Sequence, residues 1–503
     1  MKERLNQKAA AALVVLGLLA GSLSGCGQAQ IGEKQAFSPN VTEQEQTQQE
    51  EQQHLEQLKI SGDYDLLTAS PWNCAQLNSR SAATLLYDAP VSLQTDFSTQ
   101  PALAEVSGSG TEWTLTVKEG IEFSDGSLLT AKHIDDSLTL ALAEGSYYRA
   151  RLENIASHKV SGNSVQVTLH QPDALFANLM TFPVAKWDGS RYIGTGRYRL
   201  ASQGEDSVLL ERNPSYWGKQ PSIQRIEMIP LKKTDVETYS LKLGKIDCLY
   251  IDGASADISN LSAGSYPVTA NQLIFLGANA SRGQTANAEV RKAISRAIDR
   301  DYLMRTSLTT SGKASDLPLH PDFFAMEGYT VPAQNIDEAK QMLTQAGALD
   351  DGEMLELTLL YSTDGADRAQ LANQLAAQLA QVGIQITLDG RASEDYFSAL
   401  ESGSYDLYLG ELLLGDDMDL SHLFTRGEHY GYGAAPSQQL LSLYQTAYST
   451  GEGWDAFAAQ FVQEYPMVPL AFRSGSFCFS RQHTLGVTAL RSDLFYNIDS
   501  WQS

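Results

Sequence analysis

Two strand–helix–strand passages far apart in the chain constrain its fold most. In the first, Ile226–Leu231 reads as a strand, Thr234–Leu243 as a helix ended at Gly244, and Ile246–Ile251 as a second strand. In the second, Leu355, Leu357 and Leu359 alternate, Leu371, Leu375, Leu379 and Val382 line one helical face, and Ile384, Ile386 and Leu388 alternate again. A helix near Glu394–Glu401 and a strand at Tyr405–Gly410 extend it. Each passage is a βαβ unit, whose crossover is right-handed. The chain is therefore α/β, and its 503 residues exceed what one core can fill.

The N-terminus carries a compartment signal. Lys2, Arg4 and Lys8 precede an apolar run from Ala9 to Leu23 that has the layout of a secretory signal and is too short to span a bilayer comfortably. Leu23-Ser24-Gly25-Cys26 follows and resembles a bacterial lipobox, which makes residues 1–25 a signal peptide and Cys26 the acylated first residue of the mature chain. Acyl chains would hold such a protein on the membrane without crossing it. Residues 26–57 are rich in Gln and Glu with few apolar side chains, the composition of a tether. Cys74, Cys248 and Cys478 lack metal-ligand spacing, and at most one disulfide can form among the three.

The formal charge is −24; residues 1–25 hold three cations against Glu3, so their removal takes it to about −26. Such an acidic chain is not built for nucleic acid. The basic stripe Arg291, Lys292, Arg296 and Arg300 reads as a solvated helix face. No HExxH, GxSxG or P-loop pattern is present, so nothing nominates a hydrolase or a nucleotide cofactor.

The stretch Thr111–Leu138 adds a unit of strand, turn, strand, turn and capped helix. Trp113, Leu115 and Val117 alternate, Gly120 breaks the strand, Asp125-Gly126 makes a turn, and Thr130 is placed to cap a helix with Ile134 and Leu138 inward. The order Trp-Thr-Leu-x-Val-Lys-x-Gly-Ile-x-Phe-x-Asp-Gly resembles the signature of the family 5 extracellular solute-binding proteins, the oligopeptide, dipeptide and nickel receptors of ABC importers. Further matches follow in order: Pro101-Ala102-Leu103-Ala104-Glu105, Gly194-Thr195-Gly196 with Arg197 where the family has proline, Asn213-Pro214-Ser215-Tyr216-Trp217, Gly244-Lys245-Ile246-Asp247, and Val290-Arg291-Lys292-Ala293-Ile294 through Asp299-Arg300.

The resemblance implies a two-lobed periplasmic-binding-protein-like fold with a hinge crossed twice. Lobe 1 is expected from residues 58–270 and 471–503, with an extra subdomain near 80–185, and lobe 2 from 271–470. It implies a monomeric, non-enzymatic receptor that captures a peptide or other small solute and presents it to an ABC permease and its ATPase. A sensing receptor of the same fold and a nickel or metal-chelate binder are the alternatives, and a secreted hydrolase is a more distant one.

Open α/β lobes bind ligands beyond the carboxyl ends of their strands, which directs attention to the loop after Tyr405–Gly410. Peptide-binding members carry a phrase resembling Gly-Trp-x-Gly-Asp-x-x-Asp-Pro there, whose first aspartate pairs with the peptide's α-ammonium. Here Gly415 and Asp416 match, Asp419 matches the second aspartate, Leu413 replaces the tryptophan and Leu420 the proline. The candidate ligand-binding residues are thus Leu413, Gly415, Asp416, Asp417 and Asp419; the competing reading of the three aspartates is a solvated, self-capping turn. Arg368 opens the helix after the loop in which dipeptide-type members place a carboxylate-binding arginine. His422 and His429 lie nearby without a recognised metal-ligand pattern, so no metal site is expected.

Overall fold

The computed structural model describes residues 56–231, 234–252, 264–308, 312–349, 354–424, 431–480 and 486–502. The expected signal peptide, Cys26, most of the expected tether and His429 lie outside the described residues.

A 12-stranded sheet runs through both halves of the described chain. Its strands are β1 (Gln57–Ser61), β6 (Tyr198–Gln203), β7 (Val208–Arg212), β8 (Arg225–Ile229), β9 (Cys248–Ile251), β10 (Gly264–Ala278), β11 (Leu355–Ser362), β12 (Ile384–Arg391), β13 (Leu407–Leu413) and β14 (Met467–Phe479). They lie in the order β6-β7-β8-β1-β9-β14-β10-β13-β11-β12, with the short strands Gly312–Ala314 and Ala489–Leu490 paired to β14 and β10. The remaining labels, β2 to β5, belong to a separate four-stranded sheet of Ala104–Ser109, Glu112–Val117, Ile155–Ser161 and Ser164–Leu169.

The second βαβ unit forms as the pattern requires, β11 and β12 pairing in parallel throughout. The first differs. The N-terminal strand β1 inserts between β8 and β9 and pairs in parallel with both, so the two strands flanking the helix Thr234–Lys242 are not neighbours. Periodicity marks strands but carries no information on which strand fills the gap between them.

The sheet serves two cores. Leu58, Ile60, Met228, Val268, Phe477 and Phe479 belong to one; Leu273, Phe275, Leu359, Leu407, Val468 and Phe472 belong to the other. Strands β10 and β14 contribute to both, antiparallel to each other, and their register breaks where Val268 faces Gly475 and Gln272 faces Arg473. Thr269–Asn271 therefore bulge out opposite Ser474 at the passage between lobes. Leu93, Phe97 and Leu175, within the stretch expected to belong to lobe 1, pack against the core of the other lobe.

The extra four-stranded sheet is antiparallel in the order β2-β3-β5-β4. Trp113, Leu115 and Val117 on β3 are buried, Gly120 and Gly126 take positive φ, and the helix Ala131–Ala141 covers the sheet. Its N-terminus is closed by His133, whose Nδ1 accepts from the Thr130 backbone N–H at 3.1 Å.

The basic stripe is not a solvated face. Arg291 and Arg300 are buried and act as carbonyl collectors. Arg291 donates from Nε to the Tyr465 carbonyl at 2.6 Å, from Nη2 to Glu464 at 2.7 Å and from Nη1 to Thr285 at 2.8 Å, closing the C-terminus of the helix Trp454–Glu464. Arg300 donates to the Ser315 and Pro469 carbonyls. Charge periodicity on a helix cannot report carbonyls arriving from elsewhere. Cys74, Cys248 and Cys478 are buried free thiols.

Replacing Arg291 by Met is expected to leave these carbonyls unpaired and to cost about 2–4 kcal/mol. Urea unfolding reads this directly, and an unchanged midpoint would show that water satisfies the carbonyls as well as the guanidinium does.

Candidate ligand-binding site

The loop Leu414–Leu420 leaves the carboxyl end of β13, which lies parallel to β11. Three side-chain and backbone bonds fix its path. The Leu414 N–H donates to the Asn271 carbonyl at 2.8 Å, Asn271 Nδ2 to the Gly415 carbonyl at 2.7 Å, and Asn178 Nδ2 to the Asp416 carbonyl at 2.8 Å. A Cβ at Gly415 would stand 2.2 Å from Asp417 Oδ1, so a larger residue there would displace the Asp417 carboxylate. The bulge at Thr269–Asn271 also fixes a second segment, since the Arg491 N–H donates to the Thr269 carbonyl at 3.0 Å. One irregularity in the long strands thereby holds both walls of a groove.

That groove contains a cavity of about 210 Å³ between the lobes. Leu413, Gly415 and Asp416 face it from one side; Arg80, Arg151 and Arg491 face it from the other. A second cavity of about 200 Å³ adjoins it through Arg80, Leu93 and Ser492 and is bounded by Asp88, Tyr216 and Trp217. Tyr216 and Trp217 of the Asn213–Trp217 loop border this second space, with Trp217 Nε1 donating to Asp88 Oδ2 at 2.8 Å.

Of the expected site residues, Leu413, Gly415 and Asp416 reach the cavity and Asp417 and Asp419 do not. Leu413 is 42% exposed and presents an aliphatic wall. The Asp416 carboxylate is already engaged: its Oδ2 lies 2.6 Å from Arg151 Nη2, across the lobe boundary. Burial opposes charge on Arg151, but Asp416 with Tyr147, Tyr148 and Asp417 outweighs it and raises the guanidinium above its ordinary value.

Asp417 and Asp419 turn into a buried tyrosine network. Tyr444 Oη donates to Asp419 Oδ1 at 2.9 Å, and the Ser421 N–H donates to the same oxygen at 2.9 Å. Tyr448 Oη donates to Asp417 Oδ2 at 3.3 Å. Asp173 approaches from the other lobe, its neighbour Ala174 donating from the backbone to the Tyr448 carbonyl at 2.9 Å. Asp173 accepts from the Leu175 N–H at 2.8 Å through Oδ1, while its buried Oδ2 has no partner among the described residues. The carboxylates expected to face ligand are thus in part a device of the lobe contact. Alternating sequence positions in a tight turn point in different directions, and only the turn's geometry says which.

Arg368 does not reach the groove either. It faces Glu411 at 3.4 Å, within a cluster in which Arg473 pairs with Asp367 at 2.6 Å and Glu411 at 2.9 Å. The sequence reading missed Arg80, Arg151 and Arg491, which come from three distant segments. Among the described residues no group of three or more His, Cys, Asp or Glu side chains is arranged to hold a metal ion.

The electrostatic influence of Asp417 on buried Asp173 predicts a pH dependence. Burial, then Asp417 and Asp419, raises Asp173 to about 8; burial, then Asp419 and Asp416, raises Asp417 to about 6 despite Arg151. Raised carboxyl groups stabilise the folded state below their unfolded values, and that stabilisation is lost as pH climbs through the folded values. Stability should therefore fall from about pH 4 to about pH 8, through both groups up to about pH 6 and through Asp173 alone above it, by roughly 1 kcal/mol per pH unit for each group. Asp173→Asn should flatten the slope in urea titrations at a series of pH values; parallel curves for variant and wild type would refute it.

Comparison with known proteins bears on the family and the fold. The chain matches the family model for bacterial extracellular solute-binding proteins, family 5 (middle), over residues 96–431. It is 26% identical over 339 residues to Protein XP55 of Streptomyces lividans, covering 61% of this chain and 62% of that one. It is 24% identical over 344 residues to the glutathione-binding protein GsiB of Salmonella typhi, covering 63% and 66%. The matched region spans less than two thirds of the length of these relatives. A solved structure, the nickel ABC transporter protein of Bacillus halodurans, superposes with a TM-score of 0.73 at 17% identity, covering 89% of this chain and all of that one, and so shares the fold. With two lobes joined through paired strands, a cavity between them and a family model matched along most of its length, the chain belongs to the bacterial extracellular solute-binding proteins of family 5.

Proposed function

We propose that this chain is the lipid-anchored capture component of an ABC importer, closing its lobes around an oligopeptide-like solute and delivering it to a permease. The observation that carries this reading is a cavity walled by both lobes, with charged side chains set in a largely apolar lining, and fixed at their strand crossing. Hinge closure changes the walls of such a cavity together, so ligand binding and domain motion are one equilibrium. The adjoining second cavity gives the groove the elongated form that an extended chain of linked units requires. Binding of glutathione, a peptide, by a named relative supports the same class. Cys26 after the apolar N-terminal run supports the anchor, and no helix among the described residues is long and apolar enough to cross a membrane.

Contacts such as Phe324 N–H to the Asp96 carbonyl at 3.0 Å and the Arg151–Asp416 pair join the lobes directly. Small-angle scattering of the ligand-free protein should give a larger radius of gyration than the complex with a bound peptide, and identical curves would argue against capture by closure. Cys26→Ser should move the protein from the membrane fraction to the medium in the native host, whereas retention at the membrane would remove the lipid anchor. Uptake of a labelled peptide by a strain lacking the chain separates import from sensing: unimpaired uptake alongside retained peptide binding would favour a sensing receptor.

A further inference from the structure

Within the cavity beside Asp416 the charge balance runs opposite to that of the whole molecule. Three guanidinium groups, Arg80, Arg151 and Arg491, line it, and Asp416 is the only acid among the lining residues, leaving a local excess of two positive charges in a chain of formal charge −24. The nearby acids do not correct this, since Asp417 is turned into the tyrosine network and Asp493 is held by Arg197 at 2.9 Å.

Arg80 and Arg491 are held in place by something other than a counter-ion, whereas Arg151 is paired with Asp416. Arg80 donates to the Ala75 carbonyl at 2.9 Å and stacks on the Tyr147 ring at 3.8 Å; Arg491 donates from Nη1 to Tyr250 Oη at 3.1 Å, and its Nε is buried with no partner among the described residues. Burial and the charges of Arg491 and Arg151 both act against the protonated form of Arg80. Preorganised cations with an unsatisfied donor, facing a cavity and repelling one another, are stabilised by an anion placed among them.

We infer that this end of the groove receives an anionic group of the ligand, a carboxylate or a phosphate, between Arg151 and Arg491, and that Asp416 is the internal carboxylate holding Arg151 until the ligand's acid takes its place. The inference rests on the proposed capture function and reverses the orientation that the family resemblance implied, in which Asp416 would meet an ammonium. Asp416 then competes with the ligand, and its loss helps binding.

Calorimetric and thermal-shift titrations of the full mature protein test this with four probes: N-acetyl-trialanine as an acid, the same peptide as its amide, trialanine amide with a free amine, and inorganic phosphate. The expected result is that N-acetyl-trialanine binds at least about tenfold more tightly than its amide, that Arg491→Met removes the difference while Arg491→Lys keeps part of it, and that Asp416→Asn strengthens binding of the acid probe. An ammonium site predicts the opposite sign for Asp416→Asn and preference for trialanine amide; that pattern overturns the inference while leaving peptide capture standing. Binding of phosphate without either acetylated peptide supports the anion site and removes the peptide reading. No response to any anionic probe overturns the inference. Far-ultraviolet circular dichroism confirms that each variant is folded before its titration is read.

Discussion

The antiparallel pairing of β10 with β14 is the constraint on which the rest of the molecule depends. These two strands each supply side chains to both cores, so neither lobe can form its sheet without the other being tethered to it. Where the pairing is regular the strands are rigid; where Thr269–Asn271 bulge opposite Ser474 it is interrupted. Where β14 is skipped, the Asn271 and Thr269 carbonyls accept instead from Leu414 of one lobe and Arg491 of the other, continuing the pairing of β10 with β13 and with Ala489–Leu490. The strand crossing between the lobes and the two walls of the cavity are thus one local feature.

From that arrangement follows a division of labour among the acidic residues of the 416–419 turn. Asp416 stays in the cavity against Arg151, while Asp417 and Asp419 serve the contact between the lobes with Asp173, Tyr444 and Tyr448. Carboxyl groups brought together out of water favour a shared proton. The turn therefore couples the ligand cavity to the lobe boundary through adjacent residues.

Arginine plays three distinct parts in this chain, and sequence spacing does not separate them. Arg291 and Arg300 gather carbonyls inside a lobe; Arg473 anchors Asp367 and Glu411 beneath the groove; Arg80, Arg151 and Arg491 face the cavity. All carry the same planar array of donors. What differs is the oxygen that the fold delivers to them.

Local order in the sequence was enough to establish the α/β class, the strand Glu112–Val117 with its buried face, the helix starting beyond Thr130, the pair β11 and β12, and the loop that carries Asp416. Each follows from periodicity, turn chemistry or capping, which act over a few residues. The insertion of β1 between β8 and β9, the fate of Asp417 and Asp419, and the convergence of Arg80, Arg151 and Arg491 on one cavity were decided only by tertiary structure. They depend on contacts between segments widely separated along the chain, whose energies are set by burial and by partners that no local pattern encodes.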